Sequence, residues 1–172
     1  ANLGSSFEIP TAIKAGAQGV GLFRTELLFL GHKRPPTREE QVFEYTKLLA
    51  GFQGSRVIVR VLDIDIDKPL SFLSGAGTGR YRNRGLQVLL ANRSVLETQL
   101  QALATASEYY PGTDLWVMAP MVLNVKEGKF FVELAKSYGL KKVGLMIEVP
   151  EIAKPRRIRK LLKFTDFLSI GT

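Results

Sequence analysis

Cysteine is absent from the 172 residues, which rules out a disulfide framework and any thiolate zinc site. That fits a reducing compartment, and cytoplasm is the expectation. No apolar run approaches the roughly 18 residues that span a bilayer, and the opening ANLGSSFEIP has neither a basic leader nor an apolar signal core, so a soluble chain is expected. Repeats of 20 to 50 residues and low-complexity tracts are missing as well. The one histidine, His32 in GHKRPP, reads as a surface-loop residue. Asp63, Asp65 and Asp67 alternate as in a calcium loop but lack the glycine and the distal glutamate that such a loop needs. An initiator methionine is also lacking, and the chain ends on DFLSIGT, so the expectation is a piece of something longer.

What is present describes a globular domain with a sizeable core, 45% of it hydrophobic. Acidic residues are the minority: 24 lysines and arginines against 16 aspartates and glutamates give a net charge of +8, a field that attracts phosphorylated metabolites, nucleic acid or acidic proteins alike. Short apolar runs at 19–23, 57–62, 115–119, 143–147 and 167–170, with 1–3 as a further candidate, have the length and composition of strands buried on both faces. Helix signals stand between them. Thr37, Ser94 and Asn124 each precede a glutamate by three positions, the spacing of a capping box. Leu96, Leu100 and Leu103, and again Phe131, Leu134 and Tyr138, recur at helical spacing, and Gly139 supplies a stop. Alternating strand and helix predict a parallel sheet, either open and doubly wound or closed as a barrel. In both, ligands bind at the C-terminal ends of the strands.

Charged residues collect at those ends. Arg24 and Glu26 follow the run 19–23, Arg60 and Asp63 close the run 57–62 with Lys68 beyond, and Glu148 follows 143–147. Converging guanidinium forks suit a multiply charged oxyanion, and an opposing carboxylate suits a divalent cation such as Mg²⁺. A competing signal is the basic tract KPRRIRKLLKF at 154–164, which could follow nucleic-acid phosphates and makes a basic nucleic-acid-binding α/β domain the alternative of another class. Ile158, Leu161 and Leu162 give that tract an apolar face, so a helix docked on the sheet with its cations in water is the favoured reading, and no nucleic acid or membrane is expected as a partner.

Taken in order, GVGLFRTELLFL, VIVRVLDIDIDKPL, LMIEVP and SIGT, with ANLG at the start and APMV at 119–122, resemble the phosphoenolpyruvate-binding barrel of Enzyme I, the phosphoenolpyruvate-protein phosphotransferase family of the bacterial sugar phosphotransferase system. Pyruvate phosphate dikinase and phosphoenolpyruvate synthase share this barrel and are near neighbours. The resemblance implies a partial TIM (β/α)8 barrel, about six βα units of eight, in a single incomplete domain over 1–172. Position by position it implies that Arg24 and Arg60 hold the phosphoryl group of phosphoenolpyruvate with Lys68 beside them, that Arg84, opening RGLQVLLANRSVLETQL, is a further substrate arginine, and that Glu148 is a Mg²⁺ ligand. Asp65 and Ile66 stand where the family has two glycines, TGRYRN replaces its Asn-Pro and Leu-Gly elements, and Gln87 replaces an arginine.

The implied reaction moves the phosphoryl group of phosphoenolpyruvate to a histidine on a separate domain, and from there to a histidine phosphocarrier protein, which starts sugar uptake. A homodimer is implied too. The family's second Mg²⁺ ligand and its proton-donating cysteine fall past Thr172, and its phosphoacceptor histidine lies in another domain. The expectation is therefore that these 172 residues do not turn over alone.

Overall fold

Runs of branched and aromatic residues become strands, and a helix follows each of the first five. The structure, a computed structural model, describes residues 1–64, 70–74 and 84–171. β1 (Asn2–Leu3) leads through a 3-10 turn (Ser6–Glu8) to α1 (Ile9–Lys14). β2 (Val20–Arg24) is followed by α2 (Glu26–Phe29) and α3 (Arg38–Gly51), and β3 (Arg56–Arg60) by α4 (Leu86–Ala91) and α5 (Arg93–Tyr109). β4 (Asp114–Ala119), α6 (Val125–Ser137), β5 (Lys142–Ile147), α7 (Pro155–Leu161) and β6 (Phe167–Ile170) complete the order.

The six strands pair in chain order and every pairing is parallel. A doubly wound sheet reverses its strand order part-way, and this one never does. With right-handed crossovers, an unreversed order puts the helices on one face, which is barrel winding. Among the described residues β1 and β6 each have a single neighbour, so the sheet is an open part of a barrel.

The helix-side face is the core. Val57, Val59, Val117, Val143 and Leu145 are fully buried, as are Leu48 of α3 and Leu96, Leu100 and Leu103 of α5, and all belong to one cluster. Each such side chain contributes roughly 1.5–3 kcal/mol. On the other face, register lines up Ile58 with Trp116, Arg60 with Met118, Met118 with Gly144, and Gly144 with Phe167. At the N-terminal end of that face Trp116 and Phe167 pack with centroids 4.7 Å apart, and Arg56 lies 4.1 Å over Trp116.

Two of the three expected caps form. Thr37 and Glu40 exchange hydrogen bonds as a capping box, and Asn124 accepts from Glu127 N at 3.0 Å. Ser94 does not cap: α5 starts one residue earlier, and the flanking Asn92 bonds instead to Ser74 and to the Val88 carbonyl, tying the chain before Gly75 to the α4–α5 corner. Gly139, at φ 92°, ends α6 as its left-handed conformation requires. In α7 Leu161 is buried and Ile158 packs on the core, but Leu162 falls just past the helix end and is 57% exposed, so the apolar face of this seven-residue helix is narrower than its sequence suggests. His32 is exposed in its loop. Among the described residues no helix is long and apolar enough to cross a membrane.

Asp166 fastens the end of the sheet. Its Oδ2 accepts from Val143 N at 2.9 Å and from Lys136 Nζ at 3.0 Å, joining β5, α6 and the entry to β6. Burial pushes this carboxyl up, but the Val143 N–H and the Lys136 ammonium outweigh it and leave the group below its ordinary value. A depressed carboxyl stabilises the fold above its unfolded pKa, and that contribution fades as pH falls through the folded one. Asp166→Asn is expected to cost about 1 kcal/mol at neutral pH, a value discounted for partial exposure. Urea-unfolding midpoints should converge with wild type on acidification; a cost independent of pH would remove the carboxylate from this role.

Candidate functional site

Arg24 and Arg60 are register partners at the C-terminal ends of β2 and β3. Their alignment is held from below by a buried polar network. Thr25 Oγ1 donates to the Arg60 carbonyl at 3.1 Å, and Gln99 Nε2 donates to Thr25 Oγ1 at 3.2 Å and to Tyr45 Oη at 2.9 Å. The same Gln99 accepts from Leu62 N at 3.0 Å, while Tyr45 donates to Gln41, whose amide reaches the Pro36 carbonyl. Thr25, Gln41, Tyr45 and Gln99 are all fully buried. Every link is therefore made in a dry interior, where an unmade one is costly. Burial pushes the Tyr45 hydroxyl far up, so it is a permanent donor.

Above this network the Arg60 side chain crosses the sheet face. Its Nη2 pairs with Glu26 Oε1 at 2.6 Å, its Nη1 with Asp63 Oδ2 at 3.1 Å, and Nη1 also reaches Met146 Sδ of β5 at 3.9 Å. Arg84 Nε stands 3.6 Å from the other Asp63 oxygen. The Asp63 side chain is 3% exposed and that of Arg60 12%. Burial raises the Asp63 carboxyl above its ordinary value; Arg60 and Arg84 pull it down, and the charges of Glu148 and Glu26 push it up again. Arg60 Nε and Asp63 Oδ1 are buried polar atoms without a hydrogen-bond partner among the described residues. Such atoms are uncommon in a folded interior.

Glu148 joins the group from β5. Its Oε2 accepts from Met121 N at 2.9 Å, and Met121 is a non-glycine residue at φ 48°, a local strain at the end of β4. Two glycines allow the loops to close around these carboxylates. A Cβ on Gly85, itself at φ 54°, would meet Met121 Cβ at 2.8 Å and Asp63 Oδ1 at 3.1 Å, and one on Gly171 would lie 2.4 Å from Glu148 Cγ. Arg24 is exposed at the same end, near Glu8, whose carboxyl the Gly4 and Ser5 N–H groups hold below its ordinary value with Arg24 adding a smaller pull.

Comparison with known proteins bears on what this rim is for. The family model described as PEP-utilising enzyme, PEP-binding domain matches residues 1–172. This chain belongs to that family. It is 45% identical to the phosphoenolpyruvate-protein phosphotransferase of Streptomyces coelicolor, over all of this chain and 31% of the relative. It is 36% identical to the proteins of that name from Staphylococcus aureus strain MSSA476 and Haloferax volcanii, again over the whole chain and 32% and 33% of theirs. The chain thus spans about a third of the length of these relatives.

Within this PEP-binding domain, Arg24, Arg60 and Glu148 lie at one end of the sheet, where the strand-end reading put them, and Arg84, which only the resemblance singled out, lies beside Asp63 at the same end. Lys68, Asp65 and Ile66 fall outside the described residues. Gln87 donates to Glu127, whose N–H Asn124 caps at the start of α6. Among the described residues no three His, Cys, Asp or Glu side chains group as a metal cage. Glu26, Asp63, Thr25 and Gln99 are the parts that pattern reading left without a role. Gln99 carried a signal, because it sits on the same helical face as Leu96 and Leu103.

Gln99→Leu keeps the volume, strands Leu62 N–H, and removes the donor to the Thr25 and Tyr45 hydroxyls, which keep their own bonds to the Arg60 carbonyl and to Gln41. A loss of about 1–3 kcal/mol is expected in denaturant unfolding. A loss below about 1 kcal/mol, the net value of one ordinary hydrogen bond, would show that these groups find other partners.

Proposed function

We propose that the rim binds phosphoenolpyruvate and that the chain is the phosphoenolpyruvate-binding part of a phosphoenolpyruvate-protein phosphotransferase. The observation that carries this reading is the register of Arg24 on Arg60, with Arg84 and Glu148 at the same sheet end, inside a family match over the whole chain. Arg24, Arg60 and Arg84 would grip the phosphoryl and carboxylate oxygens as forks, with Lys68 contributing charge. The parent protein would pass the phosphoryl group to a histidine and on to a histidine phosphocarrier protein, starting sugar uptake, in the cytoplasm and as a homodimer. The names of the relatives favour this over a dikinase or a synthase.

Glu148 fits a Mg²⁺ ligand. Its carboxylate is fixed by Met121 N–H in a cradle that a Cβ on Gly171 would fill, and a hard cation that retains waters takes one or two carboxylates plus a substrate phosphate, with no need for a three-residue cage. When bound, the ion supplies charge neutralisation for the departing phosphoryl group. The chain's own residues hold the anion in line and keep Asp63 away from bulk water.

Calorimetric titration with phosphoenolpyruvate tests the reading. Binding should require Mg²⁺, and should weaken at least about tenfold in Arg24→Ala, an exposed position whose loss leaves the fold intact. Glu148→Gln should abolish the Mg²⁺-dependent binding. Equal affinity with and without Mg²⁺, or an unchanged Arg24→Ala, would overturn it.

A further inference from the structure

Arg60 is the most buried of the described rim arginines, and both of its terminal nitrogens are engaged. Glu26 holds Nη2 at 2.6 Å and Asp63 holds Nη1 at 3.1 Å. A guanidinium offers an oxyanion two parallel N–H bonds from the Nε–Nη2 edge or from the Nη1–Nη2 edge. Nη2 belongs to both edges, so neither is clear of a carboxylate. The remaining nitrogen, Nε, is buried and has no partner among the described residues.

The two carboxylates are not equivalent. Asp63 is three residues from Arg60 on the same chain segment, its side chain is 3% exposed, and the space beside its Oδ1 is so tight that a Cβ on Gly85 would lie 3.1 Å from it. It has nowhere to go. Glu26 is 20% exposed and opens α2, a helix of four residues that follows directly on Thr25. Its carboxylate can swing to water while Thr25, fixed by the Arg60 carbonyl and Gln99, keeps the backbone in place.

We infer that Glu26 is an internal competitor for Arg60: its carboxylate occupies the guanidinium in the empty site and leaves when an anionic ligand arrives. This rests on the reading of the rim as a phosphoenolpyruvate site. Asp63 remains as the fixed partner that orients the guanidinium, and the orphaned Nε becomes a donor to the ligand once Glu26 has withdrawn. Glu26 is a positioning residue that sets anion affinity, and it takes no part in bond making.

The sign of one mutational effect separates this from a structural role. Phosphoenolpyruvate affinity in the presence of Mg²⁺ is measured for wild type, Glu26→Gln and Glu26→Asp. The competitor role predicts about tenfold tighter binding for Glu26→Gln, the order expected when a rival charge-assisted hydrogen bond is removed. Glu26→Asp, whose shorter carboxylate reaches Nη2 less well, should shift the same way by less, and it serves should Glu26→Gln fail to fold. Binding that is unchanged or weaker in these variants, while Arg24→Ala still weakens it at least about tenfold, overturns the competitor role and leaves the rim reading standing. Silence from wild type and variants alike overturns both.

Discussion

A guanidinium sealed at the end of a strand has to be neutralised where it lies, and that requirement shapes the rim. Arg60 is nearly buried, and an isolated charge there would cost several kcal/mol. Two carboxylates meet the need, one from the segment just past β3 and one from the first turn after β2. The ends of β2 and β3 are thereby drawn to one spot, and Asp63 in turn draws in Arg84 from the chain ahead of α4. Glu148 completes the group from β5. Three chain segments that share no local sequence relation are joined by ion pairs through Arg60 and Asp63, and the Glu148 charge acts on Asp63 beside them.

Ion pairs alone would not fix positions to within a hydrogen bond. The layer beneath them does, because Gln99 clamps the backbone of Leu62 and the hydroxyl of Thr25, and Thr25 clamps the Arg60 carbonyl. These groups are buried and mutually satisfied, so sliding β2 against β3 by one residue would break several bonds at once and strand their donors in apolar surroundings. A rigid floor below and an exchangeable ion pair above is the arrangement that permits one carboxylate to move while the arginine stays.

The strands, the barrel-side helices and the end of the sheet that carries charge were all legible, because periodicity and the strand-end rule act locally and along the chain. Strand limits matched to within two residues at each end, and Thr37, Asn124 and Gly139 were read from spacing alone. Ser94 misled because a capping-box spacing also arises inside a helix, and here Asn92 was already committed to Ser74. Leu162 misled because a seven-residue helix turns too little of its length toward the sheet. What stayed hidden was partnership: no spacing shows that Glu26 meets Arg60 across 34 positions, or that Gln99 meets Thr25 across 74.

The inner face of the sheet divides its labour along the strands. At the N-terminal end, Arg56 stacks over Trp116, Trp116 packs on Phe167, and Asp114 bonds both Arg56 and the Trp116 indole. Gly144 makes this possible, since any side chain there would collide with the Phe167 ring at 2.4 Å. That end closes its charges internally, with one carboxylate matched to one arginine and one indole N–H. At the other end Arg60 pairs with Glu26 and Asp63, Arg84 stands against Asp63, and two buried polar atoms have no hydrogen-bond partner among the described residues. One end that satisfies its polar groups internally and one that leaves a buried donor and a buried acceptor without partners among the described residues give the open sheet a direction, and the second is the end at which barrels of this winding carry their sites.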